Sequence, residues 1–147
     1  MRIVIQRCLD SSVSVSNKVV GKIEKGMVIL VGFTYGDDET IIDKMIQKIL
    51  KLRIFDDEDG IMNKSIIDID GSILSVSQFT LYADTKKGNR PSYIKALKSD
   101  SASVLYDLFN NKLKKYIHVE TGIFGSYMEL NIKNDGPVTI ILESEDL

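Results

Sequence analysis

The sequence predicts a single-domain mixed α/β fold with two main helices packed on one side of β-sheet, and three observations carry that expectation. Met27-Val28-Ile29-Leu30-Val31 is apolar on both faces, as a strand inside a sheet must be. Two stretches, near residues 39–52 and 99–116, space their apolar residues at helical intervals. Strand-like segments flank both, in the order hairpin, strand, helix, strand, helix, strands, which is the pattern of helices laid over sheet. At 147 residues the chain is one domain over 1–147, long enough to bury roughly two-thirds of its unfolded surface.

Met1 to Gln6 opens the chain as a short strand. Val13 and Val15 alternate with Ser12, Ser14 and Ser16, the signature of a half-buried strand, and Asn17-Lys18 turns the chain into Val19–Ile23. Glu24-Lys25-Gly26 turns it again into the apolar run. Gly36-Asp37-Asp38 precedes a helix over about Glu39–Leu52, with Asp37 or Asp38 as its cap and Ile41, Ile42, Met45, Ile46, Ile49 and Leu50 as its core stripe. Asp56-Asp57-Glu58-Asp59-Gly60 invites a calcium-loop reading. With Gly60 as the loop glycine, however, Phe55 and Ile66 fall at the first and last ligand positions, so this is an acidic surface turn. Ser65 to Asp70 is irregular, and Gly71 ends it.

The stretch Gly71–Tyr82 is the one around which the chain is organised. Ile73, Val76, Phe79 and Leu81 are β-formers, and a central strand that closes in Ser77-Gln78 puts polar groups at a strand end, where α/β sheets place their sites. By chemistry alone, Ser77, Gln78 and Thr80 simply close a buried strand with hydrogen bonds, because no His, Cys or carboxylate lies within the motif to activate a hydroxyl. Ala83 to Leu97, with Gly88 and Pro91, has no clean period and is a loop. Ser99-Asp100 caps a second helix, with Val104, Leu105, Leu108, Phe109 and Leu113 on one face, ending near Tyr116. His118, just past it, reads as a surface group or a partner for the helix dipole. Met128, Leu130 and Ile132 alternate with polar residues in a strand; Asn134-Asp135-Gly136-Pro137 is a turn; Val138–Leu142 is the final strand, and Glu143–Leu147 a polar tail.

Composition excludes several function classes. The net charge of −2 argues against a chain that coats nucleic acid, although Lys86, Lys87, Arg90, Lys95 and Lys98 crowd one segment and Lys112, Lys114 and Lys115 another. The first cluster follows the central strand directly, which favours phosphate contact. Cys8 is alone, so neither an intrachain disulfide nor a thiolate metal cluster can form. No apolar run reaches the ~20 residues of a membrane span and Met1-Arg2-Ile3-Val4-Ile5 is no signal peptide, so no membrane partner and a cytoplasmic setting are expected. No Ser-His-Asp order, paired-His motif or Gly-rich phosphate loop is present, and no metal or cofactor is expected. A hydrolase built from this chain would work with backbone amides, an ordered water and the substrate itself, since aimed amides supply ~10²–10³ each.

Ser77-Gln78-Phe79-Thr80-Leu81 followed by Asn134-Asp135-Gly136-Pro137-Val138-Thr139 resembles the D-aminoacyl-tRNA deacylase family. Further landmarks are Ile5-Gln6-Arg7, Arg53-Ile54-Phe55, Met62-Asn63, Gly88-Asn89-Arg90-Pro91-Ser92 and Thr121-Gly122-Ile123-Phe124, so the likeness runs from Met1 to about Leu142. The resemblance implies a layered α/β/β fold and a homodimer with sites at the subunit interface. It implies hydrolysis of the ester of D-aminoacyl-tRNA, and of glycyl-tRNA, with L-aminoacyl-tRNA rejected. It further implies that Gly136-Pro137 is cis and enters the partner's pocket, and that Arg7 holds that element. Ser77, Gln78, Phe79 and Thr80 would line the catalytic site, with Phe79 and Met128 holding the 3′-terminal adenosine. Thr80 is either a nucleophile or, as its lack of an adjoining base favours, a bystander to chemistry assisted by the ribose 2′-hydroxyl. Tyr93 stands where the family more usually has Phe. A non-catalytic RNA-end or small-molecule binding domain on the same scaffold is the alternative.

Overall fold

The computed structural model describes residues 1–147. In order, it contains β1 (Arg2–Cys8), β2 (Ser11–Val15), β3 (Lys18–Ile23), β4 (Gly26–Gly32), α1 (Glu39–Lys51), β5 (Phe55–Asp56), β6 (Met62–Lys64) and β7 (Ser72–Ser77). After a 3-10 turn at Phe79–Tyr82 come α2 (Ser99–Leu113), β8 (Val119–Thr121), β9 (Glu129–Asn131) and β10 (Asn134–Glu143), and a second 3-10 turn, Ser144–Asp146, follows. Five strands form the main sheet in the order β10-β1-β4-β7-β8, and β3-β2-β9 form a second, three-stranded sheet.

Alternation along the strands decides the layers. Ile3, Ile5, Met27, Ile29, Val31 and Ile73 point to one side, where they form one core with Ile42, Met45, Ile46 and Ile49 of α1 and Tyr106, Phe109 and Leu113 of α2. Val28, Leu74 and Val76 point to the other side and pack with Val13 and Ile23 of the small sheet. β4 is apolar on both faces because each face meets a different layer. The expected helix, sheet, sheet layering is what the structure shows.

Local chemistry explains most boundaries. Asp38 caps α1, its Oδ1 accepting from the Ile41 amide at 2.9 Å. Asp37 instead accepts from the Met1 ammonium at 2.5 Å. Ser16 and Asn17, at φ 48° and 61°, turn the hairpin one residue earlier than Asn17-Lys18. The acidic stretch is a tight turn between β5 and β6, in which the Asp57 carboxylate accepts from the amides of Asp59 and Ile61.

Four expectations are corrected. Asn134-Asp135-Gly136-Pro137 is no hairpin turn: it lies inside β10, which runs unbroken to Glu143. The strand bulges there, since Gln6 faces Thr139 and Cys8 faces Asn134, so four residues of β10 lie opposite Arg7 alone. β10 is an edge strand, where a residue lacking N–H is tolerated. Phe79 and Leu81 do not extend the central strand; β7 stops at Ser77 and they wind into the 3-10 turn. Val104 is exposed, and α2 buries Ala102, Tyr106, Phe109, Asn110 and Leu113 instead, a stripe rotated about one residue from the expected face. Lys98, not Ser99 or Asp100, stands at the N-cap, with no side-chain cap bond. His118, read as a surface group or a helix-dipole partner, is the first of these, exposed and paired with Glu120 at 3.0 Å.

Candidate active site

β4 and β7 are parallel, Gly26 facing Ser72 and Val31 facing Ser77, so both strands end together at their carboxyl ends. A cavity of about 590 Å³ opens there. Its walls come from the ends of β4 and β7 and the residues just past them, Val31, Phe33 and Val76 to Phe79, from Tyr93, Leu97, Lys98 and Ala102 of the loop and the start of α2, and from Phe124, Tyr127, Met128 and Leu130 before and into β9. Twelve of its eighteen lining residues are hydrophobic, and no carboxylate, His or Cys is among them.

The 3-10 turn explains the chemistry of the lip. The Gln78 amide donates to Val31 O at 2.8 Å, continuing the ladder, and the Leu81 and Ala83 amides donate to Gln78 O and Thr80 O. The Phe79 and Thr80 amides fall between these bonds, and no turn, loop or side-chain acceptor takes either of them. Gly32 is needed beneath the turn, because a Cβ there would lie 2.9 Å from Gln78 O. The Phe79 ring, more than half exposed, meets the Tyr93 ring edge-on at 5.0 Å between centroids. Thr80 is not among the lining side chains, and its hydroxyl accepts from the Gln78 side-chain amide.

A buried polar contact holds β7 just before the residues that line the cavity. Tyr106 donates its hydroxyl to Ser75 O at 2.8 Å, and Gly122 N donates to the same carbonyl at 3.1 Å. Burial raises the Tyr106 pKa, keeping the hydroxyl a donor. Gly122 admits Met128 to the wall, since a Cβ there would come within 2.5 Å of the Met128 sulfur.

Of the residues expected in the site, Ser77, Gln78, Phe79 and Met128 line this cavity, and Thr80 follows Phe79 in the 3-10 turn without lining it. Arg7, Gly136 and Pro137 gather elsewhere. The Gly136-Pro137 peptide is cis and exposed. Arg7 is buried beneath it, its Nε donating to Asp135 O at 3.0 Å and its Nη1 to Ile54 O at 2.8 Å, with the carboxylates of Asp135 and Asp56 at 3.2 and 3.1 Å. Arg7 thus fixes the main chain that enters Gly136, through the fork of donors that only arginine has. Arg7 faces Met27, four residues along β4 from Val31 or about 13 Å, and β10 lies three strand spacings, about 14 Å, from β7. The two halves of the expected site therefore lie at opposite corners of one sheet.

The structure adds Phe33, Lys98, Ala102, Phe124 and Tyr127 to the cavity. The glycine-flanked Ile123-Phe124 pair was the sequence signal for one of them; Lys98 and Ala102 gave none, because they line the wall only through the docking of α2.

A sequence profile of the family described as D-Tyr-tRNA(Tyr) deacylase matches residues 4–143. The chain is 50% identical over 147 residues to a D-aminoacyl-tRNA deacylase of Bacillus pumilus (strain SAFR-032), covering 99% of this chain and all of that one. Among solved structures it is similar to a c-Myc DNA unwinding element binding protein, with a TM-score of 0.93 and 39% identity over 97% of this chain and 98% of the other. It is also similar to a probable eukaryotic D-amino acid tRNA deacylase, with a TM-score of 0.82 over 96% and 97% of the chains; at 19% identity this bears on the fold alone.

Proposed function

The chain belongs to the D-Tyr-tRNA(Tyr) deacylase family, and we propose that its cavity hydrolyses the ester of D-aminoacyl-tRNA with main-chain amides in place of a side-chain nucleophile. The observation that carries this reading is the pair of unengaged amides, Phe79 and Thr80, at the lip of an apolar cavity without a general base. The 3′-terminal adenosine fits between Phe79 and Met128, and its aminoacyl carbonyl oxygen accepts from those amides. As water adds to the carbonyl, the negative charge that develops on this oxygen meets fixed donors. The ribose 2′-hydroxyl orients the water, and the 3′-oxygen departs with the proton. The test is release of free D-tyrosine from D-tyrosyl-tRNA by the purified protein. Tight binding of tRNA without release would favour the non-catalytic RNA-end domain.

Thr80→Ala separates amide from hydroxyl. The variant keeps the main-chain donor and is expected to retain activity within about 10-fold, whereas loss of a true nucleophile costs ~10⁴-fold or more. Single-turnover rates on the folded variant decide between them.

Handedness requires the second half of the site. One chain's Gly136-Pro137 lies at the far corner from its own cavity, so the wall that refuses L-amino acids comes from a second copy, with the arm held rigid by Arg7. The protein is expected to sediment as a homodimer burying about 1,200–2,000 Å². A monomer with full, chirally selective activity at micromolar concentration would refute the shared site.

A further inference from the structure

Beside the cavity stands a lobe that the chemistry above leaves unused. Asp84 and Ser92 exchange main-chain hydrogen bonds of 2.7 and 2.9 Å, which tie off residues 85–91 as a closed loop. Lys86, Lys87 and Arg90 stand on it, all exposed, and none has a carboxylate within ion-pair distance. Asp84 is already engaged: its carboxylate accepts from the Lys86 amide, which with Lys95 holds its pKa below the usual range, and Lys95 Nζ lies 3.5 Å away. The same segment then enters the cavity wall through Tyr93, Leu97 and the likewise unpaired Lys98. Unneutralised positive charge therefore runs from the cavity wall out onto the lobe, in a chain whose net charge is −2.

The other basic surfaces differ. Lys112 is held by Glu39 and Asp43 at 2.6 and 2.7 Å. The open hollow beside Lys44, Lys48 and Lys51 has Asp43 and Asp146 in its lining, so its field is mixed. Only the 84–98 segment combines unpaired cations with continuity to the cavity.

We infer that Lys86, Lys87 and Arg90, with Lys98 at the cavity wall, grip the phosphates of the RNA strand that leads into the terminal adenosine. The inference rests on the deacylase reading for the identity of the RNA. On that reading the cavity takes the terminal nucleoside with its aminoacyl ester, which leaves the 5′-phosphate and those behind it at the rim, where exposed cations act by counterion release. The lobe thereby supplies affinity for the whole tRNA without touching the reacting ester.

The experiment compares the wild type with Lys86→Ala/Lys87→Ala/Arg90→Ala on D-tyrosyl-tRNA and on D-tyrosyl-adenosine, across a salt series, and measures binding of uncharged tRNA alongside. On the whole tRNA the triple variant is expected to lose at least about 10-fold in kcat/KM at low salt. The slope of log(kcat/KM) against log salt is expected to flatten by about 2, at roughly 0.7 per phosphate contact on a single strand. Uncharged tRNA is expected to bind more weakly with the same flattening, while the loss is absent on D-tyrosyl-adenosine. Lys114→Ala/Lys115→Ala, which removes two cations from the end of α2, is expected to keep the wild-type slope. An unchanged slope and affinity in the triple variant, or an equal loss on D-tyrosyl-adenosine, would overturn the inference. Failure of the wild type to hydrolyse either substrate would fall on the deacylase reading, and the uncharged-tRNA measurement would still judge the lobe.

Discussion

Offered D-tyrosyl-tRNA, L-tyrosyl-tRNA and a D-tyrosyl-tRNA ending in 2′-deoxyadenosine, the protein is expected to release tyrosine from the first about 10³-fold faster than from the second, the ratio that about 4 kcal/mol of steric exclusion yields. A wall made of main chain penalises any β-carbon aimed at it, whatever the side chain's size, so D-amino acids as a class and glycine are accepted together. On the proposed shared site, the clash with the wrong substrate is what would carry the selectivity. The deoxy substrate tests a separate point. Neither the lip nor the cavity wall supplies a carboxylate or imidazole, so the proposed mechanism gives the water to the 2′-hydroxyl, and its removal is expected to cost ~10²–10⁴-fold. Equal rates on the D and L substrates would remove the wall from the account. Full activity on the deoxy substrate would leave the wall standing and end the ribose-assisted chemistry.

Gly26→Ala is expected to destabilise the fold by more than about 4 kcal/mol, or to leave the protein insoluble. Gly26 sits at φ +153°, and a Cβ there would lie 1.8 Å from Ser72 O and 2.7 Å from Ser72 N. Both are main chain and cannot swing aside. Gly26 pairs with Cys8 on one side and Ser72 on the other, so the change strikes the register that carries Val31 to Ser77 at the cavity. Gly60→Ala is the control: its φ is also positive, at +75°, but nothing lies within 4 Å of the new Cβ, so only the local cost of about 1–2 kcal/mol applies. Urea unfolding of both variants measures the difference. A Gly26→Ala protein within about 1 kcal/mol of wild type would mean that the strands slide to make room.

The layers were legible in the sequence because burial writes a period into it. Met27–Val31 is apolar throughout since both its faces are covered, and the α1 stripe names its own buried side. α2 was less legible, because Val104, Leu105 and Leu108 offer a second apolar stripe and only the position of the sheet chooses between the two. Gly136-Pro137 misled for a physical reason. Glycine and proline interrupt a ladder equally at a hairpin and at a bulge on an edge strand, and strand order decides which, through contacts more than a hundred residues away in sequence. Ser77 to Phe79 could be located as a strand end, but the cavity's other walls come from segments with no period at all. Their meeting is a product of tertiary packing alone.

The unengaged amides of Phe79 and Thr80 have a consequence for drift and for drugs. A main-chain N–H is specified by every amino-acid codon except those for proline, so point mutations at these two positions can alter fit while leaving both donors in place. Phe79→Pro or Thr80→Pro is the narrow exception. The same feature narrows a route to inhibition, because a lip with no thiol, imidazole or activated hydroxyl offers an electrophilic warhead no catalytic nucleophile to capture. Compounds against such a site must compete by shape and hydrogen bonding, as the proposed oxyanion would.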